Sequence, residues 1–337
     1  MVRWLAERSV DAVRDAVARI CPDLAGLPVV LHDEWVDTGN PLWARSSAFV
    51  GDAWVVKFAW SEPAADKLEF EIDVLRALAT SAHAPPLRRV HASSSDPVLL
   101  VSPFVPGAQV QGATIALYSN EEKQRLARAL GGVLASFHQV DMLRAVSGAN
   151  VTLPPPTPQA TTAQLRDEFC PMLDERRRNL VVGWCDWTDG VLAVDTERVV
   201  LHGDFHGYNL IIDERQAVRA VLDLEEAACG DFHYDLRYLP AQEKSLELFL
   251  ATAAEYGQIT HRSIDVSRVM AWHIRTVLGD ALWRTAAGIA LPGNGTIETW
   301  IDEIAERVEQ LDIGPARLLQ SPVAATTERH STSDIVR

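Results

Sequence analysis

The sequence predicts an α+β protein, with a small β-rich lobe at the N-terminus followed by a larger and mainly helical one. Three observations carry that expectation. Short apolar runs separated by turn residues fill the first hundred positions, and apolar side chains then recur every three or four positions through most of the remainder. Between the two regimes Pro103, Pro106 and Gly107 interrupt the pattern. With 337 residues, 47% hydrophobic and 23% charged, the chain has an ordinary globular composition and enough length to bury a core in each part.

Residues 1–20 read as an amphipathic helix, because Trp4, Leu5, Val10, Val13, Val17 and Ile20 alternate with charges. The continuous apolar stretch of a secretion signal is missing. Residues 27–36 and 43–51 read as strands, and a Gly51-Asp52 turn leads into a third at 53–58. Ser61-Glu62-Pro63 is an N-cap followed by proline in the first turn, which opens a helix to about residue 80. Strands at 90–91 and 97–104 flank a turn at Ser93-Ser94-Ser95-Asp96. The boundary between the lobes is placed at residue 104, giving 1–104 and 105–320.

In the second part, 121–140 has helical periodicity through Leu126, Leu130, Val133, Leu134 and Phe137. The Pro/Thr/Ala-rich stretch 147–162 reads as a loop. Residues 166–180 and the segment around Trp184 and Trp187 read as irregular helix. A strand–loop–strand unit covers 198–224, and helices run on to residue 311, one of them over 267–287. The small polar residues of 321–337 predict a disordered tail.

Net charge is −15, and it is unevenly spread: residues 1–104 carry 14 acids and 10 bases, residues 105–320 carry 30 acids and 19 bases. An acidic surface disfavours nucleic acid and anionic membranes as partners and suits a cationic small molecule. The four cysteines, Cys21, Cys170, Cys185 and Cys229, show no metal or redox spacing, which fits a reducing compartment. With no apolar run long enough for a bilayer, the expected location is the cytoplasm.

The chemistry concentrates in Leu201-His202-Gly203-Asp204-Phe205-His206-Gly207-Tyr208-Asn209, followed by Val221-Leu222-Asp223-Leu224-Glu225. An apolar strand delivers Asp204, and a loop returns Asn209 five residues later. A hairpin of Ile211-Ile212 against Val221-Leu222 then sets Asp223 beside Asn209. Phosphoryl transfer needs such a set: a carboxylate to orient the attacking hydroxyl and take its proton, and hard oxygen ligands to hold Mg²⁺ against the phosphates. Asp204 is the candidate base; Asn209 and Asp223 are the candidate metal ligands.

These segments resemble the aminoglycoside phosphotransferase family, distant relatives of the protein kinases. Gly230-Asp231-Phe232-His233-Tyr234-Asp235-Leu236 is similar to the family's Gly-Asp-Pro-x-x-Asp-Leu, with Phe232 in place of proline, and Leu134-Ala135-Ser136-Phe137-His138 resembles its helix ending in Leu-His. The resemblance implies a two-lobed, protein-kinase-like fold with ATP or GTP between the lobes. It also implies a strand lysine at the phosphates and a helix glutamate paired with it. Lys57 ends an apolar strand. In the next helix Leu68, Ile72, Leu75 and Leu78 form the apolar stripe, so Glu71 and not Glu69 should face Lys57. The segment Leu99-Leu100-Val101-Ser102-Pro103-Phe104 would join the lobes. Its backbone would meet the adenine edge through Ser102 or Phe104, because Pro103 has no N–H. The phosphate-covering loop falls on Asp37-Thr38-Gly39-Asn40.

Several residues have second readings. His202 fits a loop brace, His206 the loop surface or the substrate side, and Asp231 and Asp235 the bracing of the loop and the cap of the next helix. Glu225 fits either a second metal contact or a brace. Asp280, on one helix with Trp272, His273 and Trp283, is a candidate acceptor contact. Trp184, Asp186, Trp187 and Asp189 lie where the family builds its acceptor site. A metal-dependent hydrolase using His202, Asp204 and His206 is the competing enzyme class, and a non-catalytic nucleotide-binding pseudokinase is a third reading. The resembled family phosphorylates aminoglycosides and other antibiotics, sugars and amino alcohols; the acidic second lobe tilts the acceptor towards a cationic, amine-bearing one.

Overall fold

The structure, a computed structural model, describes residues 3–32 and 44–314. The Asp37–Asn40 loop, the ends of two strand assignments at 33–36 and 43, and the 321–337 tail lie outside the described residues.

Helix α1 (Val10–Ile20) is opened by Ser9, whose side chain accepts from Ala12 N. Strands β1 (Val29–Leu31), β2 (Arg45–Val50), β3 (Trp54–Ala59), β4 (Ala92–Ser95) and β5 (Val98–Pro103) form one antiparallel sheet in the order β1-β2-β3-β5-β4. Alternation along the strands separates two faces. Val56 and Phe58, with Leu99 and Val101, pack with Val13, Ala16 and Val17 of α1. Helix α2 (Glu62–Leu78), capped by Ser61 with Pro63 in its first turn, joins the main core with Val98 and Leu100. The serine-rich turn expected at 93–96 is displaced: Ser93, Ser94 and Ser95 belong to edge strand β4, and the register Ser95↔Val98 leaves Asp96-Pro97 as the two turn residues. Edge strands tolerate serine because one side of the ladder is open.

After β5 the chain makes the two-residue strand β6 (Ala108–Gln109), which pairs with β8 (Leu210–Ile212); β8 in turn pairs with β9 (Val218–Val221). Gly107 has φ +150°, and a Cβ there would stand 2.5 Å from the Ile212 carbonyl oxygen, so only glycine permits this approach. Strand β7 (Arg198–Leu201) pairs with β10 (Ala228–Asp231).

Around these ribbons stand α3 (Gly112–Ile115), α4 (Asn120–Phe137), α5 (Val140–Gly148), α6 (Thr162–Gln164), α7 (Glu175–Leu192), α8 (Glu247–Thr260), α9 (Val266–Ala287) and α10 (Ile297–Gln310). The helix expected over 121–140 ends at Phe137, where the His138 ring turns inward to buried partners. The helix expected over 166–180 is broken. A π-turn at Leu165–Phe169 and a 3₁₀ turn at Cys170–Met172 precede α7, because Pro171 lacks an N–H and Asp174 recaps the chain by accepting from Arg177 N. Helices α4 and α8 join the core under the sheets, while α7, α9 and α10 enclose a second core around Trp184, Phe169 and Ile304.

Candidate active site

Strand alternation sends Lys57 to the face opposite Val56 and Phe58, into the cleft between the lobes. Its Nζ donates to Glu71 Oε2 at 2.6 Å and to Asp223 Oδ1 at 2.5 Å, and lies 3.7 Å from Glu225 Oε2. Glu71 is fully buried, and its other oxygen accepts from Leu224 N at 3.4 Å. Glu69 points outward to Arg3. Burial alone would lower the Lys57 ammonium, but the surrounding carboxylates, Asp223 first and then Glu71 and Glu225, raise it well above the ordinary lysine value. Asp223 shows the mirror image: burial would raise it, and Lys57 followed by Arg45 holds it far down.

The buried strand β7 delivers His202 and Gly203. Gly203 has φ +83°, and a Cβ would fall 1.7 Å from the Glu226 carbonyl oxygen, so no other residue fits. His202 accepts Asp204 N on Nδ1 at 3.1 Å and donates Nε2–H to Leu222 O at 2.8 Å, tying the loop to the segment that carries Asp223. Asp235 takes the amides of His202 (2.8 Å) and Gly203 (2.9 Å) and the Nε2–H of His138 (3.2 Å), whose Nδ1 accepts from the Tyr256 hydroxyl at 2.9 Å. Burial would raise the Asp235 carboxyl, and those bonds, His138's first, hold it below its ordinary value. Arg237 is buried between the rings of Tyr234 (3.6 Å) and Tyr238 (4.2 Å) and donates to Gly203 O at 2.6 Å.

Asn209 Nδ2 donates to Asp204 O at 2.9 Å and to Asp204 Oδ2 at 3.2 Å, while Leu222 N donates to Asn209 O at 2.9 Å. Asp204, Asn209 and Asp223 are thereby brought together, with Asp223 at φ +64°. Burial would raise Asp204, but the hydrogen bond from His206 leads the causes that bring it down to about 2, with Arg237 among them. Glu225 goes the other way. Burial, then the charge of Asp223, pushes its carboxyl up to about 8.

Carboxylate oxygens of Glu71, Asp223 and Glu225 lie within 4.8 Å of one another, and Glu225 Oε2 is buried with no hydrogen-bond partner among the described residues. Such oxygens are the hard donors that magnesium takes; Glu71 and Asp223 are bonded here to Lys57, which leaves Glu225 Oε2 as the unengaged one. The site does not favour zinc on His202, Asp204 and His206, since both His202 nitrogens and His206 Nδ1 are already engaged.

Other expectations change. Phe104 N–H is spent on Ala53 O at 2.7 Å, which corrects its assignment as a donor to a nucleotide base. Its ring stands edge-on to Phe49 at 5.9 Å. Ser102 lies inside the ladder opposite Val55, its hydroxyl buried without a partner among the described residues. Asp186 and Asp189 both bind Arg166 at 2.8 Å, and Trp184 is core, so these offer little to a ligand. Asp280 pairs with Arg284 at 2.9 Å, and burial raises its carboxyl. Trp272 donates to Asp231 at 2.8 Å and His273 bonds the Arg237 carbonyl at 2.8 Å.

Sequence reasoning did not find Arg45, which reaches Glu225 from β2, nor Lys67, which reaches Glu226 from α2. It also did not find Arg237 or the contact of His206 with Asp204 at 3.2 Å. Arg237 directly follows Asp235-Leu236, but nothing local marks an arginine as buried.

Residues 39–270 match the model of the phosphotransferase enzyme family. Viomycin phosphotransferase from Streptomyces vinaceus is 26% identical over 246 residues, spanning 69% of this chain and 80% of that protein. The GDP complex of aminoglycoside 2'-phosphotransferase-IIIa superposes with a TM-score of 0.67 at 19% identity, covering 91% of this chain and 99% of the other. Macrolide 2'-phosphotransferase MphH from Brachybacterium faecium superposes with a TM-score of 0.54 at 21% identity, covering 87% and 98%. The two superpositions show the two-lobed fold. No helix among the described residues is long and apolar enough to cross a membrane.

Proposed function

Because the chain belongs to the phosphotransferase enzyme family and is a phosphotransferase acting on an alcohol group, we propose that it moves the γ-phosphoryl of ATP or GTP to a hydroxyl of an amine-bearing antibiotic. The observation that carries the reading is the convergence of Asp204, Asn209 and Asp223 on one side of the cleft with the Lys57–Glu71 pair on the other.

Residues 1–104 form the nucleotide lobe and 105–320 the catalytic and acceptor lobe. Lys57, held upright by Glu71, exchanges Asp223 for the α/β-phosphates. On the connecting segment the base edge is met by Val105 N–H, since Phe104 is engaged and Pro106 has no N–H. Asp223 and the Asn209 amide oxygen hold Mg²⁺, which when bound neutralises charge on the β- and γ-phosphates. Asp204, ionised far below neutrality, orients the acceptor hydroxyl and takes its proton late. A weak base is sufficient when bond breaking to the leaving group runs ahead of attack. Asp280 and the acidic surface of the second lobe favour cationic acceptors, and the named relatives act on viomycin, aminoglycosides and macrolides. The reaction fits the cytoplasm, where nucleoside triphosphates are found.

The test is magnesium-dependent ATP and GTP consumption with a panel of tuberactinomycins, aminoglycosides and macrolides. Acceptor-stimulated turnover that Asp204→Ala abolishes, with nucleotide binding retained, supports the proposal. Nucleotide consumption unaffected by Asp204→Ala would overturn it.

A further inference from the structure

Resting on the phosphotransferase reading, we propose that His206 is a positioning residue for Asp204: its imidazole donates from Nε2 to Oδ2 and so leaves Oδ1 turned to the acceptor hydroxyl. His206 Nε2 lies 3.2 Å from Asp204 Oδ2. On the far side of the ring Tyr208 N–H donates to Nδ1 at 3.2 Å. A ring nitrogen that accepts carries no proton, so in the neutral imidazole the proton sits on Nε2. Asn209 Nδ2 reaches the same Oδ2 at 3.2 Å and stands 3.3 Å from Nε2. Asn209 Nδ2 and His206 Nε2 are thus within bonding distance both of each other and of Oδ2, and with the proton on Nε2 the two N–H groups converge on the carboxylate oxygen. The nearest charge to the other oxygen, Oδ1, is Arg237 at 4.0 Å. The imidazole is held between the edge-on rings of Tyr238 (5.4 Å) and Tyr208 (6.0 Å).

The same geometry excludes His206 as a proton relay. Nε2 already carries its proton, and Nδ1 faces an amide N–H. When the acceptor oxygen bonds the γ-phosphorus and the bond to the departing nucleoside diphosphate breaks, the hydroxyl O–H bond breaks and the proton ends on Asp204 Oδ1. His206 fixes which carboxylate oxygen receives it.

The experiment compares His206→Ala and His206→Gln with wild type for kcat and for both KM values, since the glutamine amide keeps an N–H donor. The expected result is a fall in kcat of about 100-fold for His206→Ala, the size of a 1 Å misplacement, with the nucleotide KM unchanged within about twofold, and recovery of most of that loss in His206→Gln. A His206→Ala kcat within about threefold of wild type, or glutamine no better than alanine, would overturn the proposal. Long-range ¹H–¹⁵N correlation of the imidazole in the wild-type protein is the second measurement. The Nε2–H tautomer is expected, and the Nδ1–H tautomer overturns the assignment even if no acceptor is found. Failure of the wild type to consume nucleotide, with Nε2–H observed, would instead sink the proposed function and leave the geometry standing.

Discussion

Replacing Asp235 by asparagine removes one charge and changes nothing in size, so its cost can be worked from the bonds. The carboxylate accepts two backbone amides, at 2.8 and 2.9 Å, and the His138 imidazole at 3.2 Å, all out of contact with water. Asparagine offers one oxygen and one NH₂, so one of the two amides is left facing a donor. Losing a charge-assisted bond costs about 1.5–3 kcal/mol, and a buried unsatisfied donor about 1–3 kcal/mol. Their combination, about 3–5 kcal/mol, matches what removing one partner of a buried charged pair costs. Urea unfolding followed by tryptophan fluorescence should show that loss. A cycle with His138→Ala should return a coupling of about 1 kcal/mol or more, because both act on one network. A loss below about 1 kcal/mol would mean that the loop amides find other partners, and that Asp235 does not brace the His-Gly-Asp turn as argued.

Other perturbations have equally definite outcomes. Glu71→Ala should raise the nucleotide KM by about tenfold or more while Glu69→Ala, which severs only a partly exposed pair with Arg3, stays within about 0.5 kcal/mol in stability and near wild type in kinetics; equal effects would mean that the helix face is misread. Gly203→Ala should give little folded protein in a solubility and circular-dichroism assay, since the added carbon overlaps a carbonyl. For pH, burial would raise Asp231, but its bonds from His233, Trp272 and Arg268 hold it far below the usual carboxylate range. A depressed folded pKa contributes stability that is complete above the unfolded value of about 3.9 and is lost as pH falls towards the folded one. Melting curves from pH 6 down to pH 2 should therefore show a shallower acid decline for Asp231→Asn than for wild type, from a lower plateau.

How much was legible in the sequence depended on the range of each interaction. Lys57 and Glu71 were readable because strand alternation and helical periodicity act over a few residues. Asp204, Asn209 and Asp223 were readable because the hairpin joining them is local. His138 and Tyr256 meet across 118 residues, and Arg45 meets Glu225 across 180. No periodicity links such pairs; only the packed fold brings them together. The break at Pro171 was a nearer signal, passed over because the surrounding apolar spacing still looked helical. His206 read as loop surface because a histidine between two turn residues gives no hint of which nitrogen will be engaged.

The pairing of β6 with β8 has a mechanical consequence. Phe104 is tied to the upper sheet through Ala53, and Ala108 is already stitched to the catalytic hairpin, so Val105, Pro106 and Gly107 are the only slack in the covalent connection. Pro106 has its φ locked. The hairpin is gripped from the other side as well: Val221 N–H donates to Pro86 O at 2.7 Å and Arg88 N–H to Val221 O at 3.2 Å. Both lobes therefore hold the floor of the cleft, and two glycines inserted after Val105 would lengthen the connection without touching either grip or one charged side chain.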